Sequence, residues 1–114
     1  MKVLICGDRD WTDRNKIALR MKKIPRGSVV ITGGARGADT IAYGEAIKLQ
    51  LKNFRIKAAW KKYGKAAGPI RNRKMLSYKP DLVIAFHENM ALSLGTKDCV
   101  TQAVALGIPV EVIT

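Results

Sequence analysis

Three glycines within five residues, Gly33, Gly34 and Gly37, end the apolar run VVIT, and a helical pattern starts at once with Ala38 and Asp39. Glycine loses more backbone freedom on folding than any other residue, so such a cluster implies special dihedrals or a close approach by another group. A glycine turn that opens a helix leaves backbone N–H groups of Gly33 to Gly37, Ala35 among them, unpaired at the positive end of the helix dipole, where a phosphate fits. Arg36 would add a charge-assisted pair, and Asp39 would cap the helix or accept from a ribose hydroxyl. Gly33-x-x-x-Gly37 is not the G-x-G-x-x-G dinucleotide fingerprint, and it follows the second strand rather than the first. Tight packing accounts for one glycine here. Three point to a ligand.

Further segments offer similar chemistry. In SLGTKD, residues 93–98, Gly95 gives access to the backbone, Ser93 and Thr96 carry hydroxyls, and Asp98 lies in the first turn of a helix expected from about residue 96. Alone this reads as an ordinary N-cap; paired with the first turn it becomes a second phosphate-sized site. GPIRNR, residues 68–73, puts Arg71 and Asn72 in the first turn of a helix opened by Pro69, with Arg73 close behind. An arginine there opposes the helix dipole, a conflict that an anion would resolve. In GDRDW, Gly7 leaves room, Arg9 is a phosphate contact, and Trp11 reads as core rather than as a stacking platform. Trp60 and His87 read as structural. The acids Asp8, Asp10, Asp39, Glu88 and Asp98 stand in loops and would bring in Mg²⁺ only with a phosphorylated ligand; no metal site is specified by spacing and no cofactor is required.

The elements that must position these residues alternate. Residues 2–6, 28–32, 55–60, 82–86 and 109–113 read as strands, and VLIC and LVIAF are continuously apolar, as strands covered on both faces must be. Helical spacing links Ile17, Met21 and Ile24, then Ala38, Ala42, Ala46 and Leu49. It returns at 69–78 and again at Val100, Ala103, Val104 and Leu106, before Gly107 and Pro109. Alternating strands and helices imply right-handed crossovers, hence one α/β domain over residues 1–114: a doubly wound, Rossmann-like five-stranded parallel sheet with helices on both faces. Ligands of such sheets bind outside the carboxyl ends of the strands, at the point where strand order reverses. The segments singled out above all leave strands at that edge.

Composition narrows the class. The chain has 114 residues, 47% hydrophobic, and a net charge of +12. No stretch reaches the roughly 20 apolar residues of a membrane span, and MKVLICGDRDW lacks the pattern of a signal peptide. Two cysteines without paired spacing and one histidine suggest free thiols in a reducing, cytoplasmic setting. Between Glu45 and Asp81 there are eleven basic residues and no acid. That block raises the local positive potential and favours polyanions or phosphorylated ligands.

With GxARGAD after strand two, AAGPIRNRKM on the third helix and a GT-x-D turn after strand four, the sequence resembles the SLOG superfamily. That group unites DNA-processing protein A, the lonely-guy phosphoribohydrolases and several nucleotide sensors. The resemblance is to its small stand-alone YspA-like branch and runs from Met1 nearly to Thr114. It implies a nucleotide or nucleotide-derived ligand across both glycine turns, with family positions falling on Gly7 and Arg9, Gly33 to Gly37 with Asp39, Arg71 to Arg73, and Ser93 to Asp98. It also brings an expectation that copies pair through helices as a homodimer. The hydrolase branch carries a catalytic glutamate three residues after the threonine of PGGxGTxxE. Here that place holds Cys99, and Asp98 is one position early, a turn of about 100° around the helix.

Three functions follow in order. The first is a binding module for a nucleotide-derived small molecule. The second is a single-stranded nucleic acid binder, favoured by charge and disfavoured by an aromatic content of only 6%. The third is a nucleotide N-glycosidase, for which Asp98, Asp39 or Glu88 would have to serve.

Overall fold

The structure is a computed structural model that describes residues 1–88 and 94–114. Strand β1 (Lys2–Gly7) leads to helix α1 (Arg14–Met21), β2 (Val29–Thr32), α2 (Ala38–Lys48) and β3 (Lys52–Arg55). A short helix α3 (Trp60–Tyr63) and a 3₁₀ turn (Gly64–Ala66) run into α4 (Ala67–Ser77). Then come β4 (Leu82–Phe86), α5 (Leu94–Ala105) and β5 (Val110–Ile113). All strand pairs are parallel, in the order β3-β2-β1-β4-β5. The order reverses between β1 and β4: β2 and β3 extend the sheet to one side, β4 and β5 to the other. This is the doubly wound α/β sandwich expected from the alternation of elements.

The two faces are divided by the period of two along β1. Val3 and Ile5 pack with Ile17 and Met21 of α1 and Ala42 and Ala46 of α2. Leu4 and Cys6 face the other way, onto Met75 and Leu76 of α4 and Cys99 and Ala103 of α5. Each large apolar side chain buried here stabilises the fold by about 1.5–3 kcal/mol relative to exposure. The Ala38, Ala42 and Ala46 stripe is fully buried, and its small side chains let α2 lie close on the sheet. Asp13 caps α1, accepting from the Lys16 amide at 3.2 Å.

Two boundaries and one helix face differ from the sequence reading. The third strand covers Lys52–Arg55, not residues 55–60, because among the described residues it is an edge strand paired with β2 alone and so ends with it, at Thr32↔Arg55. The apolar run Ala58-Ala59-Trp60 instead approaches and opens α3. Helix α4 starts at Ala67, so Pro69 occupies its third position, where a missing N–H costs nothing. Arg71 and Asn72 therefore sit in the second turn, and the expected conflict with the dipole is weaker than its spacing from Pro69 suggested. Helix α5 buries Ala103 but leaves Val104 and Leu106 exposed. Among the described residues, no helix is long and apolar enough to cross a membrane.

Candidate functional site at the switch point

At the carboxyl end of β1, Gly7 lies where α2 and β4 converge. A Cβ on Gly7 would stand 2.5 Å from both the Ala38 Cβ and the Phe86 carbonyl oxygen. The absence of a side chain thus lets the start of α2 sit against the end of the sheet. Trp11 seals that corner from behind, buried edge-on against Phe86 at 5.7 Å, with its indole N–H donating to the Asp13 carbonyl. It is core, as its position suggested.

In front of this corner opens a cleft of about 600 Å³. Gly7, Arg9, Ala35, Arg36, Asp39, Arg71, Asn72, Gly95, Thr96 and Asp98 line it, drawn from the end of β1, the loops after β1 and β2, and α2, α4 and α5. A second hollow of about 440 Å³ adjoins it on the β3 side, lined by Gly33 and Gly34 and sharing Arg9, Ala35, Arg36, Trp60 and Arg71. Two expected residues lie elsewhere. Arg73 is exposed and lines neither space, since it stands two residues beyond Arg71 on α4. Gly37 is packed beneath the loop after β1, where a Cβ would run into the carbonyl groups of Asp8 and Arg9. Ser93 lies outside the described residues.

The first glycine turn is over-determined by protein. Gly37 has φ +75° and Gly34 has φ +71°, in the left-handed region that favours glycine. A Cβ on Gly34 would approach Lys57 Cγ to 2.9 Å, and one on Gly33 would meet Arg71 Nη1 at 2.5 Å and Asp39 Oδ2 at 2.9 Å. Packing and dihedrals account for all three glycines, against the expectation that packing would explain only one. The Ala38 amide donates to the Asp8 carbonyl at 3.1 Å, so the first loop and this turn are tied to each other.

Asp39 sits under the turn, 5% exposed, with Oδ2 accepting from the Ala35 amide at 3.2 Å and Oδ1 lacking any hydrogen-bond partner. Burial pushes its pKa up to about 6, opposed by the Ala35 amide and by the guanidinium groups of Arg71 and Arg55. Arg71 Nη1 donates to the Gly33 carbonyl at 2.6 Å, and its Nε to Asn72 Oδ1 at 3.0 Å. Asn72, 2% exposed, donates to the Gly95 carbonyl at 3.2 Å and to Asp98 Oδ2 at 2.9 Å. Gln102 donates to the same Asp98 oxygen at 2.8 Å. One chain of hydrogen bonds thus runs from the β2 turn through α4 to the first turns of α5.

Several contributors were not singled out as site residues. Trp60, read as packing, is 48% exposed, lies under the Arg9 guanidinium at 5.4 Å and walls both hollows. Lys57 lines the smaller hollow and Lys65 the larger. Their only sequence signal was membership of the acid-free block. Cys6 reaches the cleft floor; its thiol is pushed well above the ordinary range by the Cys99 thiol beside it and by burial, which makes it inert. His87 is buried beside the end of β4 and does not line the cleft. Among the described residues, no group of three or more His, Cys, Asp or Glu is placed to hold a metal ion.

Fold and cleft define an α/β protein with an open cleft at its topological switch point, where ligands of such sheets bind. The comparisons make the class specific: residues 1–63 match the model of the YspA, cpYpsA-related SLOG family, and the chain belongs to that family. It is 38% identical over 118 residues to the Gene 61 protein of Mycobacterium phage D29, covering 96% of this chain and 93% of that protein. The fold is also similar to the X-ray structure of DNA processing protein A from Streptococcus pneumoniae, with a TM-score of 0.56 and 18% identity. That likeness covers 96% of this chain and 57% of the other, so this chain spans little more than half of that protein's length.

Proposed function

We propose that this protein binds a nucleotide or nucleotide-derived small molecule in the cleft outside the ends of β1 and β4. The observation that carries the reading is the convergence, in one open cleft, of Arg9, Arg36 and Arg71 with the carboxylates of Asp39 and Asp98 and the backbone of the first glycine turn. Guanidinium groups and amides suit phosphate, whereas carboxylates suit the hydroxyl and amino donors of a sugar and base. Membership of a SLOG family supports it. A panel of nucleoside mono-, di- and triphosphates, read by thermal shift, tests it. Stabilisation by at least one member that Arg36→Ala reduces is expected; no shift with any of them would end the reading.

Binding rather than cleavage is the function we assign. Asp98 Oδ2 already accepts from Asn72 and Gln102, so this carboxylate serves as an anchor for α4. Cys99, in the place of the hydrolase glutamate, is 1% exposed and no base. Long incubation with the same nucleotides is expected to release no free base by chromatography. Release that disappears in Asp98→Asn would make Asp98 catalytic instead.

A second reading rests on the acid-free block: Arg55, Lys57, Lys61, Lys62 and Lys65 are all exposed on the β3–α4 side of the cleft mouth. Single-stranded nucleic acid along that rim would bind with an affinity that falls steeply with salt. Binding with a flat salt dependence, or none at low salt, would exclude it. The relative of similar fold is named a DNA processing protein.

A further inference from the structure

The two hollows differ in charge. Arg9, Arg36, Lys57 and Arg71 surround the smaller one, and no carboxylate lines it. The larger shares three of these arginines but is also lined by Asp8, Asp10, Asp39 and Asp98. Among the described residues, Arg9, Lys57 and Arg71 take part in no ion pair; Arg36 has one, an exposed contact with Asp10 at 3.4 Å that contributes little. Arg71 is held through Nε and Nη1, so its fork is fixed before any ligand arrives, with Nη2 left over. At the other turn, Gly95 and Thr96 open beside Asp98, and the Gly95 carbonyl is already taken by Asn72.

Resting on the nucleotide reading above, we infer that the ligand's anionic end is a diphosphate-type group seated in the smaller hollow, against Arg9, Arg36, Lys57 and Arg71. Its sugar and base then extend toward the carboxylates of the larger one. Four cations without a lining acid exceed what one phosphate, carrying about 1.5–2 negative charges, would neutralise. A phosphate at the α5 turn would instead face the Asp98 carboxylate at close quarters, an arrangement that like charge disfavours. On this placement the edge holds one anion chamber and one donor-seeking cleft, in place of a second phosphate-sized site at the α5 turn.

Inorganic pyrophosphate and inorganic phosphate are the probes, titrated into isotope-labelled full-length protein and followed by amide shifts. Pyrophosphate is expected to bind at least about tenfold more tightly than phosphate and to move the amides of Gly33 to Arg36 and of Lys57 and Ala58. Lys57→Ala, at an exposed side chain, is expected to fold normally and to remove most of that preference. Equal affinity for the two anions, or shifts centred on Gly95 and Thr96, would overturn the placement. If nucleotides still bind in that case, the nucleotide reading stands and the diphosphate assignment alone falls. If neither anions nor nucleotides move any amide, both fall.

Discussion

The turns that follow β2 and precede the body of α5 share a glycine-rich sequence, yet they are built on different physics. In the first, Gly37 and Gly34 adopt left-handed dihedrals, and a side chain on Gly33 or Gly37 would collide with the protein itself. In the second, Gly95 has no described residue within 4 Å of where a Cβ would stand and shows no positive φ. The first turn holds a buried carboxylate, Asp39, at an energetic cost; at the second, Asp98 is half-exposed and satisfied by two amide donors. A similar residue composition thus marks a strained, closely packed turn in one place and an open helix start in the other. Asn72 and Arg71 connect them.

The sharpest break of this contrast is Gly37→Ala. A Cβ there meets backbone carbonyls that cannot swing aside, at a dihedral that alone costs of order 1–3 kcal/mol, so a loss of more than about 3 kcal/mol is expected in urea denaturation. A loss under about 1 kcal/mol would mean that the turn relaxes freely.

The cost held by Asp39 is read by pH. A carboxyl raised from 3.8 to about 6 by folding favours the folded state most below pH 4, and that advantage is lost as pH rises through 6. The group's contribution should fall by about 3 kcal/mol over that window and stay level above it. In Asp39→Asn this component should vanish from the pH profile of stability. An unchanged profile would show that Asp39 is not desolvated.

Cutting the link comes next. Asn72→Ala would leave the Gly95 carbonyl, Asp98 and Arg71 Nε each short of a partner, and about 1–3 kcal/mol should be lost. Hydrogen exchange should quicken at both turns together. Faster exchange at only one would mean that α4 does not couple them.

The smallest effect belongs to Gly95→Ala. With open space and helical backbone, alanine should be neutral or stabilise by up to about 1 kcal/mol. A large loss would place Gly95 in the same class as Gly37 and dissolve the contrast.

The order of elements, the division of β1 between two faces and the gathering of Arg9, Arg36, Arg71 and Asp98 at one edge were legible in the sequence. These depend on local periodicity and on the handedness of crossovers, which act within a few turns of chain. The extent of β3 was not, because an edge strand ends where its neighbour stops pairing, and KNFR carries no alternation of its own. Nor was the role of Trp60, whose apolar character reads the same whether it packs in a core or walls a cleft. Arg73 and Gly37 have residue types suited to binding, but the turn of α4 and the packing of the loop after β1 keep them out of the cleft lining. Glycine's need for freedom was written in the sequence; what approaches each glycine was decided by segments distant in the chain, as between Gly33 and Arg71 or Gly7 and Phe86. Residue type sets which conformations and charges are available, while the tertiary fold determines which groups share a space.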